Sequence, residues 1–400
     1  MKSEFTTKPL SALADIQTGP FGSQLHKEDY VQTGTPIVTV EHLGQKRFTE
    51  QNLPCVSEID KERLSKYILR EGDVVFSRVG SVDRCSYVSR EYNGWMFSGR
   101  CLRVRPCIEI DSQYLYYYFT LESTKQFVRG IATGATMPSI NTKFMGEVPI
   151  AYPPIDEQRK IATVLSALDN KIELNDKINN NLAEQSQAIF AEFMCKYPYV
   201  LSPLGDMAEI IDCLHSKKPK SVNDTTYQLL QLNNITDSGF LDLSSKYYIS
   251  KSDYENWTRK CEIVEGDCVI TNVGRIGAVS QAPNGTHAAM GRNMTCIRLR
   301  KDKPFYSYLI TALLSPHIRR EIMKNTDEGT IMGALNVKNI PLLLFPMFAP
   351  PTMNALEDLL SPIRKAIEQN YLSNQTLSLL RDSLLPRLMS GELDVSSIDL

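Results

Sequence analysis

The residues best suited to catalysis or metal binding are the cysteines and histidines, and their spacing matches no known site. The chain has nine cysteines without a C-x-x-C pair and five histidines without an H-E-x-x-H segment, so the ligand spacings of zinc sites are missing. The phosphate-binding pattern G-x-x-x-x-G-K-[ST] and the nucleophile pattern G-x-S-x-G are missing too. The sequence therefore predicts no metal centre and no catalytic centre in this chain.

One segment has a passing likeness to an active-site motif. Tyr152-Pro153-Pro154-Ile155 resembles the (D/N)-P-P-(Y/F) segment with which adenine methyltransferases hold a flipped base. The leading Asp or Asn is missing, and no glycine-rich cofactor loop precedes the segment. Because consecutive prolines also end strands and disfavour helix before them, we interpret this segment as a linker. Carboxylates elsewhere do not cluster, although a dispersed nuclease-like site is not excluded by spacing alone.

Positive charge is concentrated in two stretches of a chain whose formal net charge is only -2. Residues 70–105 hold seven arginines against four acidic residues, and residues 264–303 hold six basic residues against three acidic ones. A chain balanced overall is not a polycation that coats nucleic acid. Two locally basic segments nevertheless suit two contacts on one nucleic-acid duplex.

Three loops accompany each basic stretch and carry side chains that can read base edges. They are residues 18–24, 77–81 and 136–141 in the first half, and 214–220, 271–275 and 331–336 in the second. Arginine can bond a guanine edge through two hydrogen bonds, and asparagine or glutamine an adenine edge. The predicted DNA-binding residues are Gly19, Ser23, Gln24, Arg78, Ser81, Arg84, Arg100, Ser139, Asn141, Lys217, Lys218, Lys220, Asn272, Arg275, Arg292, Asn336 and Lys338. The alternative is that these glycines form plain turns and that the arginines are a solvated face.

These loops belong to a framework that occurs twice. Glu71-Gly72-Asp73-x-Val75 returns as Glu265-Gly266-Asp267-x-Val269 after 194 residues. Cys101-Leu102-Arg103-Val104-Arg105 returns as Cys296-Ile297-Arg298-Leu299-Arg300 after 195, and Gly134 with Met137-x-x-Ile140-Asn141 returns as Gly329 with Met332-x-x-Leu335-Asn336. The constant order and near-constant shift indicate an internal repeat.

Each half divides into a globular part and a long helix. Residues 1–152 and 198–349 mix short β-type runs with Gly and Pro, and short amphipathic helices are expected near 114–128 and 306–323. Each globular part is expected to end in a proline-marked strand, at 148–150 and at 340–342. Residues 153–197 are expected to form a central helix, and residues 350–400 a distal helix with a C-terminal tail.

The two long segments both repeat apolar residues every 3.5 positions, which is typical of a coiled coil. Both carry two asparagines at the same steps, and antiparallel pairing about a local two-fold axis would bring these four amides together; the alternative is that they are exposed. Pro362 either kinks the second helix or begins it, at the first position after Ser361. The predicted pairing residues are Ile161, Leu165, Leu168, Ile172, Asn175, Asn179, Leu182, Leu360, Ile363, Ile367, Asn370, Asn374 and Leu377. The sequence thus predicts two copies of an α/β (α+β) domain joined by two long helices in an antiparallel coiled coil, with a pseudo-two-fold internal repeat.

Composition places the chain among ordinary globular proteins. It is 42% hydrophobic and 22% charged, and its length suggests two or three domains. No run of about 18 apolar residues is present, and the first residues lack the apolar core of a signal peptide. We therefore expect a cytoplasmic protein whose cysteines are mostly small buried apolar groups in a reducing compartment.

The whole chain, including its repeat, resembles the specificity subunit of type I restriction-modification systems. The strongest likeness is Pro153-Pro154-Ile155-Asp156-Glu157-Gln158-x-Lys160-Ile161-Ala162, which is similar to the central helix of that family. Residues 384–392 resemble the end of its distal helix, and the Glu-Gly-Asp-x-Val and Met-x-x-Ile-Asn segments resemble the framework of its target-recognition domains. The sequence departs from the family at Pro350-Pro351-Thr352-Met353-Asn354, where P-P-x-x-E-Q is usual, and at Pro362.

The resemblance implies a non-catalytic DNA-binding subunit. Each recognition domain reads one half of an interrupted, bipartite DNA site from the major groove, and the helices set the unread gap and dock two modification subunits. Those partners bind S-adenosylmethionine and methylate adenine, so no cofactor is expected in this chain; motor-nuclease restriction subunits add cleavage. Within this reading Arg78 contributes to the first half-site, and Asn272 and Arg275 to the second.

Two other classes of protein stay open on the sequence alone. A stand-alone methyltransferase or nuclease with an unfamiliar site would bind S-adenosylmethionine or cut DNA without partners. A scaffold that grips proteins through its two globular parts would show the same affinity for DNA with and without a cognate site.

Overall fold

The structure is a computed structural model that describes residues 5–134, 136–327 and 333–395. It divides into two compact units, one formed by residues 1–172 with 376–400 and the other by residues 173–375. Both boundaries fall inside long helices, so each unit contains one globular part and a segment of each long helix.

The first unit contains ten strands and four short helices within its described residues. The strands are β1 (Thr6–Pro9), β2 (Ala14–Thr18), β3 (Tyr30–Val31), β4 (Thr35–Val38), β5 (Cys55–Val56), β6 (Val74–Ser77), β7 (Cys85–Tyr87), β8 (Met96–Phe97), β9 (Cys101–Pro106) and β10 (Pro149–Tyr152). The helices are α1 (Glu58–Arg63), α2 (Ser112–Thr120), α3 (Glu122–Ile131) and α4 (Thr142–Gly146), followed by the long helix α5 (Ile155–Lys196). We call β1–β10 with α1–α4 the first module.

The second unit repeats this sequence of elements. Its strands are β11 (Tyr199–Pro203), β12 (Ala208–Asp212), β13 (Gln228–Leu229), β14 (Glu262–Val264), β15 (Cys268–Thr271), β16 (Val279–Gln281), β17 (His287–Ala289), β18 (Met294–Leu299), β19 (Thr326–Asp327), β20 (Ala334–Leu335) and β21 (Leu344–Phe348). Its helices are α6 (Lys251–Trp257), α7 (Tyr306–Leu314) and α8 (Pro316–Lys324), followed by the long helix α9 (Pro350–Met389). We call β11–β21 with α6–α8 the second module.

Equivalent sheets confirm the internal repeat. The first module has an antiparallel sheet in the order β2-β9-β6-β7, and the second has one in the order β12-β18-β15-β16. The pair β1-β10 corresponds to the pair β11-β21. A further small sheet, β3-β5-β4-β8 or β13-β17-β14, contains one parallel pair in each module. The fold is therefore a duplicated mixed α/β domain with long helices, as the sequence predicts.

The sequence alignment of β9 with β18 is off by two residues. The strand β9 begins at Cys101 and pairs through that residue with Ser77, whereas β18 begins at Met294 and pairs through it with Thr271. These strands are thus equivalent at a shift of 193 residues, not the 195 that the similar Cys-x-Arg-x-Arg segments indicate. Arg105 therefore corresponds to Arg298, and Arg103 to Cys296.

The Glu-Gly-Asp segment closes the turn before β6 in the first module and before β15 in the second. Gly72 and Gly266 have φ of 90° and 84°, a backbone conformation that other residues rarely adopt. The Asp73 carboxylate accepts from the Arg70 backbone N–H at 2.8 Å and from both sides of the Arg105 guanidinium at 2.7 Å. Since Asp73 is buried, this ion pair fastens the turn to β9.

The helices differ from expectation at three points. Each expected short helix is two helices, because Leu121 separates α2 from α3 and the N-cap Ser315, followed by Pro316, separates α7 from α8. The expected strand at 340–342 is part of a 3-10 helix over Val337–Leu342, and the strand starts at Leu344. The α9 helix begins at Pro350 and runs through Pro362, which lies on its exposed side. The interpretation of Pro362 as the first residue of a helix is therefore wrong.

Both units bury the long helices in their main core. In the first unit, Leu165 of α5 and Leu385 of α9 belong to the same apolar cluster as Phe76 and Tyr114. In the second unit, Phe190 of α5 and Leu356 of α9 pack with Tyr308 and Phe345. Since these clusters include residues of both helices and of the module, the helices are part of each unit's folding core.

Candidate nucleic-acid interface

The first module brings its predicted loops together at one place. We call residues 18–24, 77–81, 97–100, 133–134 and 136–141 the first loop cluster. The Arg78 N–H donates to the Arg100 carbonyl at 2.8 Å, and the Ile140 N–H donates to the Arg78 carbonyl at 3.0 Å. The Gly80 N–H donates to the Pro138 carbonyl at 2.8 Å. Loops far apart in sequence are thus joined through their backbones.

Residues 18–24 pack tightly against residues 97–100. A Cβ on Gly19 would lie 2.2 Å from the Ser98 carbonyl oxygen, so Gly19 allows a close backbone approach that a larger residue prevents. The Gln24 side-chain oxygen accepts from the Tyr67 hydroxyl at 2.6 Å. Part of the amide predicted to read bases is therefore used inside the module. The Ser23 side chain lies outside the described residues.

Arg78 and Arg100 are the most available cations of the first loop cluster. Arg78 donates to the Gly99 carbonyl at 3.3 Å, its Nε has no hydrogen-bond partner among the described residues, and its guanidinium lies 5.6 Å from the ring centre of Phe21. Arg100 and Ser81 are exposed. Phe21 is 59% exposed, and nothing in the sequence pattern distinguishes it as a surface aromatic.

Other predicted residues in or next to the first loop cluster form hydrogen bonds that hold the loops in place. The Asn141 side-chain oxygen accepts from the Phe144 N–H at 2.9 Å and caps α4, so its amide is not free for a two-bond contact with adenine. The Ser139 hydroxyl donates to the Thr133 carbonyl at 3.4 Å. Arg84, next to the cluster, donates to the Leu43 carbonyl and lies against Gly44. Asn141 and Arg84 thus hold loops in place, and their contact with bases stays a prediction.

The second module has the same arrangement of loops. We call residues 214–220, 231–233, 271–275, 292–293 and 333–338 the second loop cluster. The Asn272 N–H donates to the Asn293 carbonyl at 2.9 Å, and the Leu335 N–H donates to the Asn272 carbonyl at 2.8 Å. Gly329, Ile331 and Met332, which belong to the third predicted loop, lie outside the described residues.

Asn272, predicted to read a base, has its side-chain amide bonded inside the module. Asn272 is only 8% exposed. Its Nδ2 donates to the Leu335 carbonyl at 3.0 Å, and its Oδ1 accepts from the Thr295 hydroxyl at 3.0 Å. Because both sides of the amide are satisfied inside the module, reading an adenine would break two buried hydrogen bonds.

Arg275 and Asn336 are exposed but engaged. Arg275 donates to the Ile235 carbonyl at 3.1 Å and forms an ion pair with Asp237. The Asn336 side chain accepts from the Lys338 N–H at 3.0 Å and caps the 3-10 helix that follows. Both residues hold neighbouring segments, so neither presents its full set of donors and acceptors.

The exposed cations of the second loop cluster surround a cleft of about 300 Å³. Lys218 and Arg292 line this cleft, and the Lys218 ammonium lies 3.8 Å from the ring centre of Tyr247. The other predicted lysines there, Lys217, Lys220 and Lys338, are exposed. Sequence reasoning missed the remaining lining residues: Leu229, Gln231, Leu232, Asn233, Trp257 and Asn293.

Two groups of side chains in the described residues have metal-ligand types, and neither is arranged as a metal centre. In the group Cys261, Asp267 and Cys296, the Arg298 guanidinium binds both oxygens of Asp267 and contacts the Cys261 sulfur at 3.7 Å. In the group Asp212, Cys213 and His215, His215 Nε2 lies 2.8 Å from Asp212, while Nδ1 lies 3.9 Å from the Cys213 sulfur. Both ring nitrogens of His215 are thus in contact with side chains of its own group.

The nine cysteines are free thiols, and six of them are buried, as expected from the sequence. Burial raises the pKa of Cys85, Cys101 and Cys268 to about 12. These thiols are protonated at neutral pH and therefore pack as small apolar groups.

The four asparagines of the long helices meet within the second unit. Asn175 Nδ2 donates to Asn374 Oδ1 at 2.8 Å, and Asn370 Nδ2 donates to Asn179 Oδ1 at 2.9 Å. The pairing is antiparallel, and the two contacts exchange under a shift of 195 residues. Every predicted pairing residue of α5 and α9 is buried or half-buried, which is expected of a seam that fixes register.

The first unit holds the helices together through a charged contact. Arg381 of α9 donates to Asp169 of α5 at 2.8 Å, and the Tyr117 hydroxyl of the first module donates to the same carboxylate at 2.6 Å. The contact therefore ties both helices to their module.

Within the described residues, no helix combines the length and the apolar character needed to cross a membrane.

Comparison with known proteins shows which proteins this chain is similar to. Residues 2–184 match the model of the type I restriction modification DNA specificity domain. The type I restriction enzyme MjaIX specificity subunit of Methanocaldococcus jannaschii is 23% identical over 99% of this chain and 95% of its own length. The putative MjaX specificity subunit of the same organism is 22% identical over 93% and 90%.

A solved structure with the same fold agrees with these relatives. The crystal structure of a type I restriction-modification system S subunit from M. genitalium covers 97% of this chain and 96% of its own, with a TM-score of 0.58 and 14% identity. Over nearly its whole length the chain is therefore similar to specificity subunits of type I restriction-modification systems.

Proposed function

We propose that this protein is the DNA sequence-specificity subunit of a type I restriction-modification complex. Specificity subunits of this family are non-catalytic and act with DNA and with modification and restriction subunits, which carry out the chemistry. Residues 1–152 and 198–349 are the two target-recognition domains, and each reads one half of an interrupted site. Residues 153–197 and 350–400 are the spacer helices, which dock two modification subunits.

The observation that carries this proposal is the duplicated framework with different exposed side chains at its loop clusters. Equivalent sheets and the same Gly-Asp turn hold both clusters in place. The groups at the surface nevertheless differ, with exposed Phe21 and Arg100 and half-buried Arg78 in the first cluster. The second presents Lys217, Lys218, Lys220 and Arg292. A rigid repeat with two different surfaces suits a DNA site whose two halves differ.

Binding is expected to depend on partner subunits. The chain has a net charge of -2, whereas a protein that grips a duplex alone usually presents many phosphate contacts. The modification subunits therefore supply much of the phosphate contact and bind S-adenosylmethionine. A cytoplasmic location follows from this role and stays a prediction.

The test is single-molecule methylation sequencing of host DNA with the gene present and deleted. We expect N6-methyladenine in both halves of an interrupted motif, and its loss on deletion. A methylome that is unchanged by deletion, together with sequence-independent binding by the co-expressed complex, would contradict the proposal. Methylation or cleavage by the purified chain alone would instead favour a stand-alone enzyme.

Domain exchange tests the division into modules. Replacing residues 1–152 with the corresponding domain of another specificity subunit should change one half of the motif and leave the other half intact. A change in both halves would contradict the independent reading of two half-sites.

A further inference from the structure

In the second module, the polar side chains Asn272 and Arg275 of loop 271–275 form hydrogen bonds within the module. Polar side chains that could contact a ligand therefore lie in other loops. Asn272 is fully engaged, and Arg275 bonds Ile235 and Asp237. Among the described residues, Arg292 is exposed and has no ion pair or side-chain hydrogen bond. The neighbouring Asn293 is exposed as well, and its side chain makes no contact with a polar group in the same described region.

Arg292 and Asn293 are held on a rigid support. Asn293 has φ of 63°, and its carbonyl accepts from the Asn272 N–H at 2.9 Å. The cleft that both residues line has a floor of Leu229 and Trp257, which are 1% and 4% exposed. Fixed backbone under exposed side chains is the arrangement that geometric recognition requires, because little ordering remains to be done on binding.

The cleft is suited to DNA by charge as well. Lys218 and Arg292 line it, and Gln231 and Asn233 add amides. No carboxylate is among its lining residues. Asn233 Nδ2 donates to the Ser245 hydroxyl at 2.7 Å, so this amide is part of the wall, whereas Arg292 and Asn293 remain available.

The first module has no side chain at the position of Arg292. At the shift of 193 residues that relates β9 to β18, Arg292 corresponds to Gly99 and Asn293 to Arg100. A Cβ on Gly99 would lie 2.4 Å from the Pro20 carbonyl oxygen and 2.7 Å from the Phe21 Cβ. The first module therefore fills with residues 18–24 the place from which the second module projects an arginine.

We propose that Arg292 and Asn293 are base-contacting residues of the second module and that Lys218 contacts an adjacent phosphate. This inference rests on the proposed function and names the residues that give the second half-site its sequence. Arginine has the donor geometry for a guanine edge, and asparagine for an adenine edge. Lysine supplies a point charge for phosphate without reading sequence.

The test uses the complete modification complex carrying Arg292→Ala, Arg292→Lys or Asn293→Gly, followed by methylation sequencing. Glycine is chosen at position 293 because it adopts positive φ. We expect each variant to relax one base position in one half of the motif, with discrimination falling about 10- to 100-fold, while the other half stays unchanged. Lys218→Ala should weaken binding equally for all sequences and lower the salt slope by about one.

Arg320→Ala is the matched control, because Arg320 is an exposed arginine of α8 in the same module. It removes the same charge and should leave the motif unchanged. The inference is overturned if the Arg292 and Asn293 variants all methylate the original motif with unchanged discrimination. In that case the proposed function still stands, since it fails only if the motif does not depend on the gene.

Discussion

In each module an aspartate that follows a glycine closes the turn before a strand of the main sheet, β6 or β15. This aspartate binds an arginine of the neighbouring strand, β9 or β18. The pairs are Asp73 with Arg105 in the first module and Asp267 with Arg298 in the second. Two strand positions before Arg105, Arg103 is 3% exposed and pairs with Asp15. At the equivalent position the second module has Cys296, which is fully buried. The framework is thus kept where it fixes a turn and varies two positions away.

The long helices show the same contrast. Asp169 on α5 binds Arg381 and Tyr117 in the first unit. Its equivalent 195 residues later is Arg364 on α9, which donates to Gln281 at 2.9 Å and to the Gly239 carbonyl at 2.6 Å, with its guanidinium 3.4 Å from the ring centre of Phe240. Each helix therefore fastens its own module at the same step with the opposite charge. Duplication preserved the place of the contact and not its chemistry.

The largest effect is expected where the two modules agree. Asp73→Ala and Asp267→Ala each remove a buried carboxylate. The turn N–H then has no acceptor, and the arginine loses its ion pair and keeps a backbone carbonyl, that of Ile68 or Glu262. The two losses together should cost about 3–5 kcal/mol of local stability. Hydrogen exchange measured by mass spectrometry should show faster exchange in β6 and β9 for the first variant. For the second, exchange should rise in β15 and β18.

The matched changes Glu71→Ala and Glu265→Ala test whether this cost is special to the buried aspartate. Glu71 and Glu265 are exposed and occupy equivalent positions of the two turns, 194 residues apart. Both variants should change exchange far less than the Asp73 and Asp267 variants. If Asp73→Ala and Asp267→Ala differ from each other by more than about 2 kcal/mol, the shared framework is not equally important in the two modules.

A smaller effect is expected where the helices fasten their modules by different chemistry. Burial lowers the pKa of Arg364 to about 9, so the guanidinium is charged at neutral pH and its acceptors need it. Arg364→Ala should cost on the order of 3 kcal/mol in the second unit, because two acceptors lose their donor and a space is left beside Phe240. Asp169→Ala should cost on the order of 2 kcal/mol in the first unit, as Arg381 keeps its contact with Asp382.

The charge reversals Asp169→Arg and Arg364→Asp are the controls for this pair. Each puts the charge of one helix into the environment of the other and should be at least as harmful as the alanine variant. Restored exchange protection in either reversal would show that the two environments are interchangeable, contrary to the contacts described above.

The sequence predicts the shared framework well and the differences between modules poorly. The Gly-Asp turns and the 3.5-residue periodicity are local patterns, so the repeat and the two helices can be identified without a structure. The alignment of β9 with β18 is different. A strand alternates with a period of two, so a shift of two residues leaves every side chain on the same face, and similar Cys-x-Arg-x-Arg segments then align wrongly.

The internal hydrogen bonds of loop residues cannot be predicted from the sequence for a related reason. Asn272 stands in a tip loop beside a glycine, and that position suggests exposure. Its partners, Thr295 and Leu335, come from remote parts of the chain, and no local pattern announces them. The cleft of the second module is likewise assembled from four separate segments, so its existence depends on tertiary structure alone.

Loops 77–81 and 271–275 have equivalent residues in different environments. The Asn272 amide is hydrogen-bonded inside the module, whereas the Arg78 Nε has no hydrogen-bond partner among the described residues. Asn272→Ala should lower the stability of the second module by about 1–3 kcal/mol, because Thr295 and Leu335 lose their partners inside the module. Arg78→Ala, at the equivalent position of the first module, should change stability by less than about 0.5 kcal/mol and relax the first half-site. Hydrogen exchange and methylation sequencing on both variants separate the two effects. A relaxed half-site in a fully stable Asn272→Ala complex would return this residue to base reading.

The smallest effect concerns pH and the asparagine contacts of the helices. Asn374 donates to Asp176 at 2.7 Å. Burial raises the pKa of Asp176 above its ordinary value of 3.8, and the hydrogen bond from Asn374 opposes this rise. A carboxyl whose folded pKa is raised binds more protons in the folded state, so stability falls as pH increases from about 3.8 through the folded pKa.

Asn374→Leu removes the opposing hydrogen bond and should deepen this fall in stability. The change should be only a few tenths of a kcal/mol, because the Asp176 side chain is largely exposed. Exchange rates of α9 measured between pH 4 and 7 should show the difference, and Asp176→Asn in the same background should abolish it; an unchanged pH profile in Asn374→Leu would mean that this amide serves the helix contact alone.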